Sequence, residues 1–130
     1  MNRTLQRLRD GVVAAILRSP LHRLLSGSLL LISFTGRRTG KEHSRPVMFA
    51  EDEGGLIILV GRPEKKVWWR NLNEGASVRV RVRGLERKGY GEVVRGDSSL
   101  SARYLERFPR ARSAISGTDE PIFVRVHAPG

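Results

Sequence analysis

The chain of 130 residues is long enough for one domain of ordinary size and too short for two. Its 24 lysines and arginines against 13 aspartates and glutamates give a formal net charge of +11, which favours an anionic partner: a phosphorylated cofactor, a nucleic acid or an acidic membrane surface. Because cysteine is absent, disulfides, thiol nucleophiles and zinc–thiolate sites are excluded, and burial alone must hold the fold together.

Residues 1–25 predict a basic amphipathic helix, and Pro20 breaks or bends its pattern. Its apolar face recurs every three or four residues, and arginines occupy the polar side. Such a helix either covers one end of the core or makes a peripheral contact with an anionic membrane. No apolar run approaches the ~20 residues needed to cross a bilayer. We therefore expect a cytoplasmic protein, with membrane association through this helix as the alternative.

Beyond residue 28 the chain changes to short apolar runs separated by turn residues, which predicts six strands. In Leu56–Val60 every residue is apolar, so both faces of that strand should be buried. In Ser77–Arg83 valine alternates with arginine, which places the valines inward and the arginines outward. The predicted strands are Leu29–Thr35, Arg45–Ala50, Leu56–Val60, Ser77–Arg83, Leu85–Val94 and Pro121–His127.

Helices are predicted at the amino end, around Lys65–Asn73 and over Ser98–Phe108. The strands follow one another in hairpin order, with Glu51–Gly55 as one of the turns, and no βαβ rhythm interrupts them. This pattern predicts a mainly β fold with flanking helices, a closed or half-open barrel of about six mostly antiparallel strands. Because no linker or repeat is present, we expect residues 1–130 to form one domain.

A glycine-bracketed basic turn follows the first predicted strand. Its residues are Gly36, Arg37, Arg38, Thr39 and Gly40. Glycine permits the backbone conformations of a tight turn, and the arginines and the hydroxyl add donors around one point. The segment suits a phosphate group, although basic turns of this kind are also common on protein surfaces.

A second segment, Gly61–Leu72, carries both tryptophans of the chain beside four cations. It leaves the fully apolar strand as a loop and continues into a short helix, which is a usual place for a binding loop. Two adjacent residues on a helix point about 100° apart, so Trp68 and Trp69 cannot fill the same core. One of them should pack inside, while the other lines a cleft or an interface.

These two segments, together with Arg45-Pro46-Val47 and Ser77–Arg83, resemble the deazaflavin (F420)-dependent nitroreductases and the F420H2-dependent quinone reductases. The resemblance extends over roughly residues 28–127. It implies a split β-barrel related to that of the pyridoxamine-phosphate oxidases. It also implies hydride transfer from reduced coenzyme F420 to a quinone, a nitro compound or another small unsaturated acceptor.

The resemblance assigns cofactor-binding roles residue by residue. The turn would hold the cofactor phosphate, with His43 and Arg45 on its acidic tail, and Pro46 and Val47 would line the deazaflavin ring. The remaining positions implied to lie near the cofactor are Gly61, Arg62, Lys66, Trp68 and Asn71.

On the substrate side the resemblance places Met48, Trp69 and Phe108. Relatives carry tyrosines in this region, so their substrate preference does not transfer to this chain. No catalytic side chain is implied, because the deazaflavin carries the hydride and the protein only has to bind, orient and shield it.

Three alternatives stay open at this stage. The barrel could bind FMN or another flavin, or be non-catalytic. A basic nucleic-acid-binding barrel would use the outward arginines, but no aromatic pair alternates with them as a stacking platform requires.

The three histidines lie in separate segments without metal-ligand spacing, so no metal is expected. The chain is expected to be a monomer or a homodimer.

Overall fold

Seven strands and two short helices make up the part of the chain that the computed structural model describes, which is residues 29–53, 55–61, 63, 67–118 and 120–127. The predicted amphipathic helix over residues 1–25 lies outside these residues. The strands are β1 Leu29–Thr35, β2 Glu42–Met48, β3 Ala50–Asp52, β4 Gly55–Val60, β5 Ala76–Val82, β6 Leu85–Arg95 and β7 Ile122–His127. The helices are α1 Ser98–Arg107 and α2 Arg112–Ser116, and the 3₁₀ turns are Trp68–Leu72 and Pro109–Ala111.

All seven strands pair antiparallel in one sheet with the order β2-β1-β5-β6-β7-β4-β3. β2 also contacts β4, so the sheet curls until strands from its two ends approach each other. This half-open barrel confirms the predicted mainly β, split-barrel fold. The gap between β2 and β4 is the feature that positions the candidate site.

The inner face of the curled sheet carries the main core. Alternate residues of β1 (Leu30, Ile32 and Phe34) point into it and are almost fully buried. A second core lies on the outer face, where α1 packs Leu100 and Tyr104 against the sheet. β4 supplies both cores: Ile58 belongs to the inner one and Ile57 to the outer one. The prediction that Leu56–Val60 is buried on both faces is therefore confirmed.

The predicted strand Arg45–Ala50 is wrong in its boundaries. β2 begins three residues earlier, at Glu42, because the hairpin with β1 continues to the pair formed by Thr35 and Glu42. It ends at Met48, and the buried Phe49 separates it from β3. β3 belongs to a different hairpin, with β4, so the predicted turn over Glu51–Gly55 is shorter than expected.

The valine–arginine alternation is confirmed in β5. Val78 and Val80 are buried on the inner face. The intervening Arg79 lies on the other face, where its guanidinium contacts the carboxylate of Glu42 and comes within 4.0 Å of that of Glu86. Among the described residues of the helix predicted around 65–73, Trp68–Leu72 form a 3₁₀ turn. No helix of the described residues is long and apolar enough to span a membrane.

Candidate functional site

The glycine-bracketed turn between β1 and β2 is closed by its own backbone. The Gly36 amide donates to the Lys41 carbonyl, and the Gly40 amide donates to the Gly36 carbonyl, each at 2.8 Å. The Thr39 hydroxyl oxygen accepts from the Lys41 amide at 3.2 Å. Gly40 has a φ of +69°, a conformation that favours glycine. The turn thus has a defined shape rather than being an open loop.

Asn71 joins this turn to the Trp68–Leu72 turn, which lies 34 residues further along the chain. Its side-chain oxygen accepts from the Arg37 amide at 2.8 Å, and its side-chain nitrogen donates to the Trp68 carbonyl at 2.8 Å. The Arg37 guanidinium also reaches the Arg70 carbonyl at 3.5 Å. The two segments predicted to bind the cofactor are therefore in direct contact.

The donors that the turn leaves available are concentrated at its tip. Within the part of the chain that the structure describes, the amides of Arg38 and Thr39 make no hydrogen bond, and the Arg38 guanidinium makes no ion pair. The amides of Gly36, Arg37 and Gly40 are already used. An anion at the tip would therefore meet two backbone amides, a hydroxyl and a guanidinium, which is a set of groups that suits phosphate.

Three aromatic rings extend from the turn into the inner core. The His43 and Phe34 rings stack at 5.8 Å between centroids, and Phe34 meets the ring of Trp68 at 5.8 Å. A Cβ at Gly36 would come within 2.8 Å of the His43 ring nitrogen, so glycine there allows the close approach. The His43 ring therefore packs against the turn at Gly36.

The other residues predicted to bind the acidic tail and the ring of the cofactor lie on β2, and they alternate between its two faces. His43, Arg45 and Val47 share the face of their β1 partners in the inner core, while Pro46 and Met48 lie on the outer face. Arg45 is half-buried, and its guanidinium donates to the Ser44 carbonyl at 3.1 Å. The seven residue pairs of this hairpin separate the turn from the far end of β2 by about 20 Å.

A cleft of about 780 Å³ opens at that far end, in the gap between β2 and β4. Five residues predicted to line the cofactor or the substrate meet there, although they come from three separate segments: Pro46, Val47, Met48, Gly61 and Phe108. Seven further lining residues were missed by the sequence analysis: Leu29, Leu59, Tyr104, Arg107, Pro109, Arg110 and Ala111. The apolar content of β4 was a signal for Leu59, whereas nothing in the local sequence marks Arg107 or Arg110.

The outer wall of the cleft is formed by the end of α1 and the Pro109–Ala111 turn. The Tyr104 ring lies between those of Phe108 and Phe123, with centroid distances of 5.0 Å and 5.9 Å. Burial raises the pKa of the Tyr104 phenol to about 12, so this lining group stays neutral at ordinary pH. The Arg107 guanidinium stacks over the Phe108 ring at 4.9 Å. This wall is therefore aromatic and uncharged except for its arginines.

The two tryptophans separate as predicted, one inside and one at the edge. Trp69 is 5% exposed, and its indole N–H donates to the Pro63 carbonyl at 3.3 Å. Trp68 is only half-buried and packs on the inner core. The structure thus places Trp69 in the core rather than among the residues that line the cleft. The predicted loop residues Arg62 and Lys66 lie outside the described residues.

Two of the three outward arginines of β5 and its turn, Arg79 and Arg83, form ion pairs with carboxylates, and Arg81 donates to the Gly84 carbonyl. In addition to the contacts of Arg79, Arg83 pairs with Glu51 at 3.1 Å. A row of arginines that tracked a phosphate backbone would have to give up these pairs. Across residues 29–53, 55–61, 63, 67–118 and 120–127, no group of three or more potential metal ligands occurs.

Comparison with known proteins identifies a family. The sequence model of the F420H(2)-dependent quinone reductase family matches residues 9–129. No curated protein shows significant sequence similarity to the chain.

Solved structures show the same fold at low sequence identity. An F420-H2 dependent reductase (FDR-A) superposes with a TM-score of 0.64 at 21% identity, over 77% of this chain and 94% of its own. A structure described as a domain-swapped dimer gives 0.63 at 20% identity, over 88% and 98%. HutZ, a heme storage protein from Vibrio cholerae, gives 0.57 at 15% identity, over 87% and 91%.

Proposed function

Because the chain belongs to the F420H(2)-dependent quinone reductase family and is thus an F420H2-dependent reductase, we propose that it transfers a hydride from reduced F420 to a quinone, a nitro compound or another small unsaturated acceptor bound in the cleft. The observation that carries this proposal is the cleft itself. It gathers ring-side and substrate-side positions from β2, from the end of β4 and from the end of α1.

The described residues offer groups that suit the phosphate and the ring of the cofactor. The tip of the turn offers donors for a phosphate, and His43 and Arg45 follow the turn on β2 as further groups for the anionic part of the cofactor. Pro46 and Val47 line the cleft with apolar side chains from the two faces of β2, which suits a fused ring system. The cofactor alternative of FMN has no observation in its favour, so we do not propose it.

When bound, reduced F420 supplies the hydride itself. The chain has to hold the phosphate at the turn, keep the ring against Pro46 and Val47, and position an acceptor over the ring. Met48 and Phe108 form apolar walls that exclude water from the ring and the acceptor. None of these tasks needs a nucleophile or a general base, in agreement with the proposal that no catalytic side chain is present.

The direct test offers the enzyme a panel of quinones and nitroaromatic compounds as acceptors. Oxidation of reduced F420 is measured as the rise in absorbance at ~420 nm. We expect turnover with at least one quinone that depends on the concentration of enzyme. An enzyme that binds F420 yet reduces no member of either class would contradict the proposed acceptors.

The phosphate position is tested by changing Arg37 and Arg38 together to alanine. The change removes the charge-assisted contact of Arg38 and the Arg37 guanidinium that reaches the Arg70 carbonyl, so F420 binding should weaken by ~2–4 kcal/mol, as measured by quenching of tryptophan fluorescence. The matched control is the double change Arg87→Ala and Lys88→Ala, which removes the same charge from β6, away from the turn. Equal affinity of the two double variants would move the phosphate elsewhere.

We also propose a membrane contact, a location and an oligomeric state for the protein. A peripheral membrane contact through residues 1–25 is tested by vesicle flotation with and without that segment, and equal behaviour of both forms would exclude it. A cytoplasmic location and a monomeric or homodimeric state also remain predictions. The nucleic-acid alternative is not proposed, because Arg79 and Arg83 are paired with carboxylates.

A further inference from the structure

The wall of the cleft carries charge of one sign. Among its described lining residues, Arg107 and Arg110 are the only charged side chains, and no carboxylate lines the cleft. The rest of the lining is apolar or aromatic, apart from the neutral Tyr104 hydroxyl. An occupant of this space therefore meets a low-dielectric surface with a cationic edge, where a negative charge would be stabilised more than in water.

The two arginines are not equivalent. Arg107 belongs to the last turn of α1, and its guanidinium is held over the Phe108 ring at 4.9 Å. Arg110 is exposed in the 3₁₀ turn Pro109–Ala111, and within the described residues it makes no ion pair. Arg110 is thus the cation of the cleft whose guanidinium is available to a ligand.

We propose that Arg110 is a specificity-determining residue and that the cleft selects acceptors combining a flat unsaturated ring with an anionic substituent such as a carboxylate. This inference rests on the proposed function, because it assigns the acceptor to the same cleft. The ring packs between the apolar walls, and the substituent reaches the guanidinium at the rim. Arginine suits this task because its planar fork of donors matches the geometry of a carboxylate.

The substituent takes no part in the reaction. Reduced F420 gives up a hydride and a proton, and the quinone takes up both to become the hydroquinone, so electrons and atoms balance without another reactant. Because the charge of the substituent is the same before and after the transfer, Arg110 should act mainly on binding of the acceptor and therefore on KM.

The test compares two acceptors that share one ring: 2-(2-carboxyethyl)-1,4-naphthoquinone and the carboxamide of the same side chain. The ratio of their kcat/KM values is measured for the wild type, for Arg110→Gln and for Arg112→Gln. Arg112 is a matched control, because it is exposed on α2 and does not line the cleft. We expect Arg110→Gln to lower kcat/KM for the carboxylate at least ~10-fold and for the carboxamide less than ~2-fold, with Arg112→Gln leaving both unchanged.

Two further measurements separate selection from other roles of Arg110. The affinity for F420 should be the same in Arg110→Gln as in the wild type, and Arg110→Lys should restore part of the preference because it keeps the charge. An equal loss with both acceptors, or a weakened affinity for F420, would overturn the inference and assign Arg110 to the cofactor. If the carboxamide is reduced and the ratio is the same in all variants, the inference fails while the proposed function stands. If neither acceptor is reduced, the inference fails, and the panel of quinones and nitroaromatic compounds decides the proposed function separately.

Discussion

The Asn71 side chain joins the basic turn to the Trp68–Leu72 turn, although the two are distant in sequence. Its amide is both acceptor and donor, and it uses one hydrogen bond on the Arg37 amide and the other on the Trp68 carbonyl. The sequence analysis placed Asn71 beside the cofactor as a contact residue. In the structure its amide is taken up by the backbone, so we regard it as a positioning residue that keeps the basic turn in place.

We expect Asn71→Ala to weaken F420 binding about 30-fold, because the loss of two hydrogen bonds of ~1 kcal/mol each frees the turn, which the ligand must then order. The measurement is a fluorescence titration with F420. Asn73→Ala is the control, since it truncates the same side chain two residues later and removes only a contact with Arg95. Affinity that falls equally in both variants, or in neither, would show that Asn71 does not position the turn.

At the scale of elements, α1 determines where the outer wall of the cleft lies. Its amphipathic face presents Leu100 and Tyr104 to the outer core, which brings the end of the helix and Phe108 over the gap between β2 and β4. The sequence predicted this helix to within one residue, because a capping residue and apolar residues at helical spacing are local signals. That it would form a wall of the cleft was not readable, because the packing partners lie on β3, β4 and β7.

The amino-terminal cap of α1 should stabilise the helix, and this contribution can be measured. The Asp97 carboxylate accepts from the Leu100 amide at 3.1 Å, so Asp97→Ala should lower the free energy of unfolding by ~1 kcal/mol. Asp97→Asn retains an acceptor and should lose much less. Urea unfolding of the three proteins provides the comparison, and equal stability of the alanine and asparagine variants would contradict the assignment of the cap.

For the whole molecule, the net charge of +11 does not form one uniform basic surface. Arg79 and Arg83 are paired with Glu42, Glu86 and Glu51, whereas the tip of the β1–β2 turn and the rim of the cleft keep cations without a carboxylate partner among the described residues. Cations that can attract an anion therefore lie at both ends of the proposed binding path for an anionic cofactor.

This arrangement predicts electrostatic steering of F420. The association rate constant should fall about tenfold between ~20 mM and ~500 mM salt, since the Debye length shrinks from about 20 Å to about 4 Å, while the dissociation rate constant changes less. Stopped-flow fluorescence measures both constants. An association rate constant independent of salt would show that the excess charge does not guide the cofactor.

The sequence by itself determined the features that have local signals. The β1 strand, the valine–arginine alternation of β5, the burial of β4 on both faces and the capped helix α1 were all readable, because each depends on residues a few positions apart. The prediction that the basic turn and the tryptophan segment bind the cofactor depends on local signals of the same kind. The break at Phe49 was not readable, because Arg45–Ala50 has the composition of one strand, and only the separate partners of β2 and β3 divide it.

Tertiary structure decided how these parts meet. It joined Asn71 to the basic turn, buried Trp69 rather than Trp68, and brought the end of α1 to the gap between β2 and β4. Each of these outcomes depends on the curl of the sheet and on contacts between residues 30 or more positions apart. Periodicity along the chain carries no information about such contacts, because the free energy that selects them comes from burial and hydrogen bonding between segments and not from the preferences of any one segment.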